Sequence, residues 1–271
     1  MRLQAGQTIK PFILAFTLIA ILPSLAEGRS TAASNEQPFV FCYLDQEVYP
    51  YYAGDGTAVP ERPPGLVIDL LRLAFEQVQV PIEIVRKPWN RCMRDLASGH
   101  INGVVASYLE ERAYIARYPM KDKALDPRRR ILTAVYAIYQ RENQPWVWNG
   151  KEFVDRNTLL GVPLGYSVGS RLRAQGLKTF EAGTIRDQLE MLQRERITVV
   201  IALETAVDSI LSHEREKFAG IVKTPLPLQA IDLYLLLSKD FIKEKPDLAD
   251  RLWQAMADAR ITHYSQFAKR Y

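Results

Sequence analysis

Cysteine and histidine are scarce in this chain, and their scarcity removes whole classes of chemistry. It has two cysteines, no Cys-x-x-Cys pair and three scattered histidines, His100, His213 and His263, so no zinc, copper or other metal site is supported. No cofactor is implied either. A charge excess of one sign is also missing, since 35 basic residues face 31 acidic ones and the two are interspersed. The pattern gives no reason to expect nucleic acid, and the one concentrated run, Arg128-Arg129-Arg130, reads as a solvated loop. No internal repeat of fixed period and no low-complexity tract is visible.

What is present begins with a leader. Arg2 and Lys10 are basic, residues 11–22 form a short apolar run, and Ser24 and Ala26 put small residues at −3 and −1 of a cut. This pattern is that of a signal peptide over 1–26, with a core too short for a membrane span. No cysteine follows the run, so a lipid anchor is not expected. Removing Arg2 and Lys10 leaves 33 basic residues against 31 acidic ones. The expected location is the periplasm, which makes a Cys42–Cys92 disulfide chemically possible; two separate buried thiols are the other reading.

Residues 27–37 are small and polar, a flexible lead-in. Strands are expected at 39–44, 81–86 and 101–106, with helices at 66–78 and 89–98 between them. The Gly/Pro-rich segment 49–65 is a loop. A long β-prone run at 130–139 follows. The rhythm then restarts, with strands at 159–162, 198–202 and 232–238 and helices at 167–175, 185–194 and 204–213. Two C-terminal helices are expected at 248–259 and 263–269. Alternating strands and helices mark an α/β chain built from parallel βαβ units.

Residues 102–119, NGVVASYLEERAYIARYP, place a short strand, a hydroxyl (Ser107) and an arginine (Arg112) in one strand–turn–helix unit. A guanidinium meets a carboxylate through two parallel charge-assisted bonds, so the unit can clamp an acid. An ion pair of Arg112 with Glu110, Glu111 or Asp69 is the bland alternative. Tyr49, Tyr51, Tyr52 and Trp89 can supply stacking walls, though not all three tyrosines are expected at a ligand. Arg91 is a candidate for the rim or for a solvated helix face. Trp146 and Trp148 read as loop packing or a partner surface, and Asp69 as structural.

Several landmarks occur together: Tyr49-Pro50, Gly65-x-x-x-Asp69, Pro88-Trp89, Ser98-Gly99 and Glu111-Arg112. In this order they resemble the first lobe of a periplasmic solute-binding protein of the polar amino-acid type (family 3), the substrate-binding domain of ABC transporters. The resemblance runs from Phe39 to about Tyr264. It implies a two-lobe, type II periplasmic-binding-protein-like fold, with a mostly parallel sheet in each lobe and two hinge crossings. Lobe 1 would comprise 38–132 plus 225–271, and lobe 2 would comprise 133–224. It also makes the segments of Cys42 and Cys92 neighbours, so a bridge is expected.

By the same resemblance Arg112 binds the ligand carboxylate, helped by Ser107. The 161–167 strand–loop–helix segment touches the same group, with Ser167 as donor or as an ordinary N-cap. Glu204 pairs with the ligand ammonium, where the family more often has Asp; an acid at a helix start is its alternative. Asn102 and Leu109 depart from the family pattern, where Asp and a second hydroxyl are usual. The lost hydroxyl leaves open a head group other than a standard α-amino acid.

The implied function is extracytoplasmic binding of a small polar, carboxylate-bearing, amino-acid-like solute for delivery to an ABC transporter, without catalysis. The partners are the solute and a membrane permease or receptor, and the chain is expected to be a monomer. Two alternatives remain. One is a sensor that hands its signal to a membrane receptor; the other is a dehydratase of prephenate or arogenate type, which needs a positioned acid such as Glu204 or Glu111.

Overall fold

The computed structural model describes residues 37–271. The expected signal peptide and residues 27–36 of the lead-in lie outside the described residues.

Strand β1 (Phe39–Leu44) is apolar and buried, as an interior parallel strand requires. Helix α1 (Leu66–Val78) sets Leu66, Val67, Leu70, Leu71 and Ala74 at helical spacing, and that stripe is fully buried. Loop carbonyls satisfy its opening donors: Leu66 N–H donates to Pro50 O at 2.9 Å and Val67 N–H to Tyr51 O at 3.2 Å. Gly65 permits this approach. It sits at φ +110°, and a Cβ there would strike the Tyr51 carbonyl.

Strand β2 (Ile82–Lys87), helix α2 (Trp89–Ala97) and strand β3 (Gly103–Ser107) complete the first βα run. Helix α3 (Glu110–Ile115) follows, then three two-residue strands, β4 (Ala116–Arg117), β5 (Met120–Lys121) and β6 (Ala124–Leu125). After the ten-residue β7 (Leu132–Arg141) the rhythm restarts with β8 (Leu160–Val162), α4 (Ser167–Ala174), β9 (Thr179–Glu181), α5 (Ile185–Gln193), β10 (Val199–Leu203) and α6 (Glu204–His213). The chain returns through β11 (Ile221–Lys223) and the ten-residue β12 (Gln229–Ser238), ending in α7 (Lys239–Glu244) and α8 (Pro246–Ala268).

The main sheet runs β2-β1-β3-β12-β7-β10-β8-β9. Parallel strands β2, β1 and β3 stand on one side and β10, β8 and β9 on the other. Between them β7 and β12 run antiparallel. Each long strand serves both partners in turn: β12 pairs with β7 through 229–233 and with β3 through 233–237, while β7 pairs with β10 through 136–140. The result is two parallel-stranded lobes joined by two crossing strands.

The core is mainly one large cluster through both lobes, with α1 against α8 as its outer layer in the first. A smaller cluster around Leu96, Ile101, Val104 and Tyr234 contains Cys42 and Cys92, which are disulfide-bonded with Cα atoms 5.7 Å apart. The expected bridge is present. The two C-terminal helices anticipated beyond residue 248 are instead one 23-residue helix, α8. No glycine or proline interrupts 247–268, and Arg260, between the two expected segments, donates to Arg130 O at 2.9 Å. The Arg128–Arg130 run is tied down by ion pairs to Asp126, Asp250 and Asp232.

Candidate functional site

All six parallel strands send their carboxyl ends toward one cavity of about 210 Å³. In the first lobe Leu44 and Gln46 follow β1, Pro88, Trp89 and Asn90 follow β2, and Val105 to Ser107 end β3. In the second, Leu164 to Ser167 follow β8, Gly183 follows β9 and Leu203 ends β10. Tyr136 of β7 and Ile231 and Leu233 of β12 contribute from the crossing strands. Carboxyl ends of parallel strands are where open α/β sheets hold ligands, because the following loops converge there.

Arg112 is the charged side chain of this wall among the described residues, and it is buried, with 9% of its surface exposed. Strand β3 ends at Ser107, and the short turn to α3 brings Arg112 back over that strand end. Its guanidinium donates to Ser107 O at 3.0 Å and, from the other terminal nitrogen, to Gly165 O of the second lobe at 3.0 Å. It lies 5.5 Å from the Trp89 ring centroid, within cation–π range. Among the described residues it forms no ion pair, so the expected alternative with Glu110, Glu111 or Asp69 is not what the structure has. Burial pushes its pKa down, although an arginine retains its charge at neutral pH.

Ser107 Oγ donates to Ser167 Oγ across the lobes at 2.6 Å, and Tyr136 Oη lies 3.4 Å from Ser167 Oγ. Ser167 therefore faces the cavity and makes no N-cap bond; Tyr166 holds the cap position of α4. Tyr118 supports the strand end from behind, donating to Ser107 O at 2.8 Å, and burial pushes its phenol up to about 12. Arg171 of α4 also crosses, donating to Tyr108 O at 2.8 Å.

Of the anticipated residues, Tyr52, Trp89, Ser107, Arg112 and Ser167 meet at the cavity, and Tyr51 joins them. Tyr49 and Glu204 do not. The Tyr49 hydroxyl donates to Tyr271 O and its ring packs edge-on against Tyr271, turning it from the cleft. Glu204 opens α6 one residue beyond the cavity, is 32% exposed and bonds Lys223 Nζ at 2.9 Å. Arg91 is 59% exposed and paired with Asp95 at 3.1 Å, a solvated helix face. Asp69 accepts from the Tyr271 hydroxyl at 3.0 Å, and Trp148 packs on Phe153. Tyr136, Tyr166 and Tyr118 were missed. Tyr136 lies in a run read only as a crossing strand, and Tyr166, beside Gly165 and Ser167, was the one with a usable signal.

No family model matches this chain, and no curated protein matches it. Solved structures do. A histidine kinase sensor domain with similarity to periplasmic binding proteins aligns at a TM-score of 0.69 and 16% identity, over 87% of this chain and 96% of that one. The arginine-, lysine-, histidine-binding protein ArtJ from Geobacillus stearothermophilus aligns at 0.66 and 13%, over 87% and 95%. The GluR0 ligand-binding core from Nostoc punctiforme, in complex with L-glutamate, aligns at 0.66 and 13%, over 86% and 99%. The chain has the two-lobe periplasmic-binding-protein fold.

Proposed function

We propose that this protein binds a small carboxylate-bearing solute between its lobes and does no chemistry on it. One observation carries the reading: a buried guanidinium at the cavity wall, bonded to two carbonyls and to the Ser107 and Tyr118 hydroxyls, with no ion pair to a carboxylate among the described residues. A buried charge is costly unless paired, and a ligand carboxylate would complete it. Ser107 and Ser167 would add hydroxyl donors from the two lobes. Closure would be a hinge motion about β7 and β12, with 38–132 plus 225–271 as one lobe and 133–224 as the other.

Structures of the same fold are described as binding arginine, lysine, histidine or glutamate, which supports a small-solute reading. The dehydratase alternative gains no support, because Glu111 and Glu204 are both off the cavity wall. The leader and the disulfide favour a periplasmic site. Delivery to an ABC permease is the first assignment; likeness to a kinase sensor domain keeps signalling to a membrane receptor as the second.

A thermal-shift screen of amino acids and small organic acids tests the binding reading. A solute at a hundred times its Kd stabilises the folded chain by about 2.7 kcal/mol. No shift with any acid, together with turnover of prephenate or arogenate, would replace the binding reading with the enzyme one.

A further inference from the structure

We infer that the solute is a small aromatic monocarboxylate carrying no ammonium group. The inference rests on the Arg112 reading and adds what the rest of the cavity selects.

Charge comes first. Among the described residues the cavity wall has Arg112 as its charged group and no Asp or Glu. The nearby acids have partners off the wall: Glu204 shares Lys223 with Asp208, Glu181 pairs with Arg173, and Glu47 with Gly54 N–H and Arg186. Glu111 lines a separate recess behind the guanidinium. A zwitterionic amino acid could place its carboxylate on Arg112, but its ammonium would enter a wall with no opposite charge and one like charge. Leaving a buried ammonium without a counter-charge is strongly unfavourable.

Shape and surface come next. Tyr51, Tyr52, Trp89, Tyr136 and Tyr166 present aromatic surface, leucine, valine and isoleucine supply seven of the other sixteen lining residues, and Gln46 and Asn90 add uncharged polar groups. Tyr52 is braced by stacking on Tyr43 with centroids 4.8 Å apart, and Tyr136 and Tyr166 meet at 6.3 Å. Aromatic rings pack favourably on such walls in stacked or edge-on arrangements. An apolar cavity of roughly 150 Å³ accepts benzene. The 210 Å³ here leaves space for one ring plus a carboxyl group at Arg112.

Titration calorimetry of the full-length protein with phenylacetate, L-phenylalanine, benzyl alcohol and glycine betaine tests this. Phenylacetate is expected to bind, with L-phenylalanine and benzyl alcohol each weaker by about a hundredfold or more, since each hundredfold corresponds to about 2.7 kcal/mol. L-Phenylalanine binding as tightly as phenylacetate overturns the exclusion of ammonium while leaving the Arg112 reading intact. Benzyl alcohol binding as tightly overturns the Arg112 reading and the inference with it. Glycine betaine displacing phenylacetate overturns the aromatic assignment, because the tyrosines would then be holding a cation. Absence of phenylacetate binding overturns it as well.

Discussion

Arg112 donates to the carbonyl of Gly165 at 3.0 Å, joining the first lobe to the loop that opens α4 in the second. The same guanidinium holds Ser107 O at 3.0 Å, so one side chain reads the ends of β3 and β8 together. A ligand carboxylate placed on its remaining donors would be sensed by both lobes. Binding and closure would then be coupled through one group, which is how a two-lobe fold makes closure depend on its ligand.

Gly165 is needed in that arrangement. It has φ +81°, and a Cβ there would run into the Trp89 indole. Gly165→Ala is expected to lose about 1–3 kcal/mol of stability in urea denaturation and to weaken solute binding. Wild-type stability in that variant would show that the loop tolerates a side chain.

Glu204 makes the opposite case. Its side chain is 32% exposed and held by Lys223 at 2.9 Å. Glu204→Gln should leave solute affinity within about twofold and cost at most about 1 kcal/mol, as exposed ion pairs do. A loss of about tenfold or more by calorimetry would place Glu204 on the ligand.

The Cys42–Cys92 bridge closes a loop with a sequence separation of 50 residues. Closing such a loop restricts the unfolded chain, and its loss should cost about 2–4 kcal/mol. A Cys42→Ser/Cys92→Ser variant is therefore expected to melt lower by roughly 5–15 °C. An unchanged melting point would mean that the strand β1 and helix α2 packing alone sets the stability there.

Asp126 gives a pH signature. The Arg128 side chain bonds it at 2.8 and 2.9 Å, and this, against the opposing effect of burial, holds its carboxyl down at about 2. A lowered folded value means stabilisation that is present above the usual aspartate pKa of about 3.9 and lost as pH falls through about 2. The stability difference between wild type and Asp126→Asn, of the order of 1 kcal/mol at pH 7, should therefore shrink from about pH 4 to pH 2. A difference constant across that window would contradict the pairing.

The βα rhythm was legible because periodicity is local: α1 spans 66–78 and α6 spans 204–213 as their patterns indicate. The helix carrying Arg112 was expected within the strand–turn–helix unit of 102–119, but its bounds were not, because six residues give too little pattern to mark them. Ser107, Arg112 and Ser167, expected at a ligand through the family resemblance, stand together at the cavity. Tyr49 and Glu204, expected there too, lie off the cavity wall, since spacing fixes neither where a side chain points nor its partner. Tyr271 and Lys223, each distant in sequence, decide those two cases. The aromatic contribution of Tyr136 is likewise a product of the β7–β12 crossing, which no local pattern encodes.

The most direct test of the account is calorimetric titration of small carboxylic acids, each paired with its neutral amide, into wild type and Arg112→Ala. Circular dichroism confirms that the variant is folded. The account predicts that at least one acid binds wild type, and that replacing it by its amide or removing the guanidinium each weakens binding by about a hundredfold, the value of a lost charge-assisted pair. Acids and amides binding alike, or Arg112→Ala retaining wild-type affinity for the acid, would contradict it.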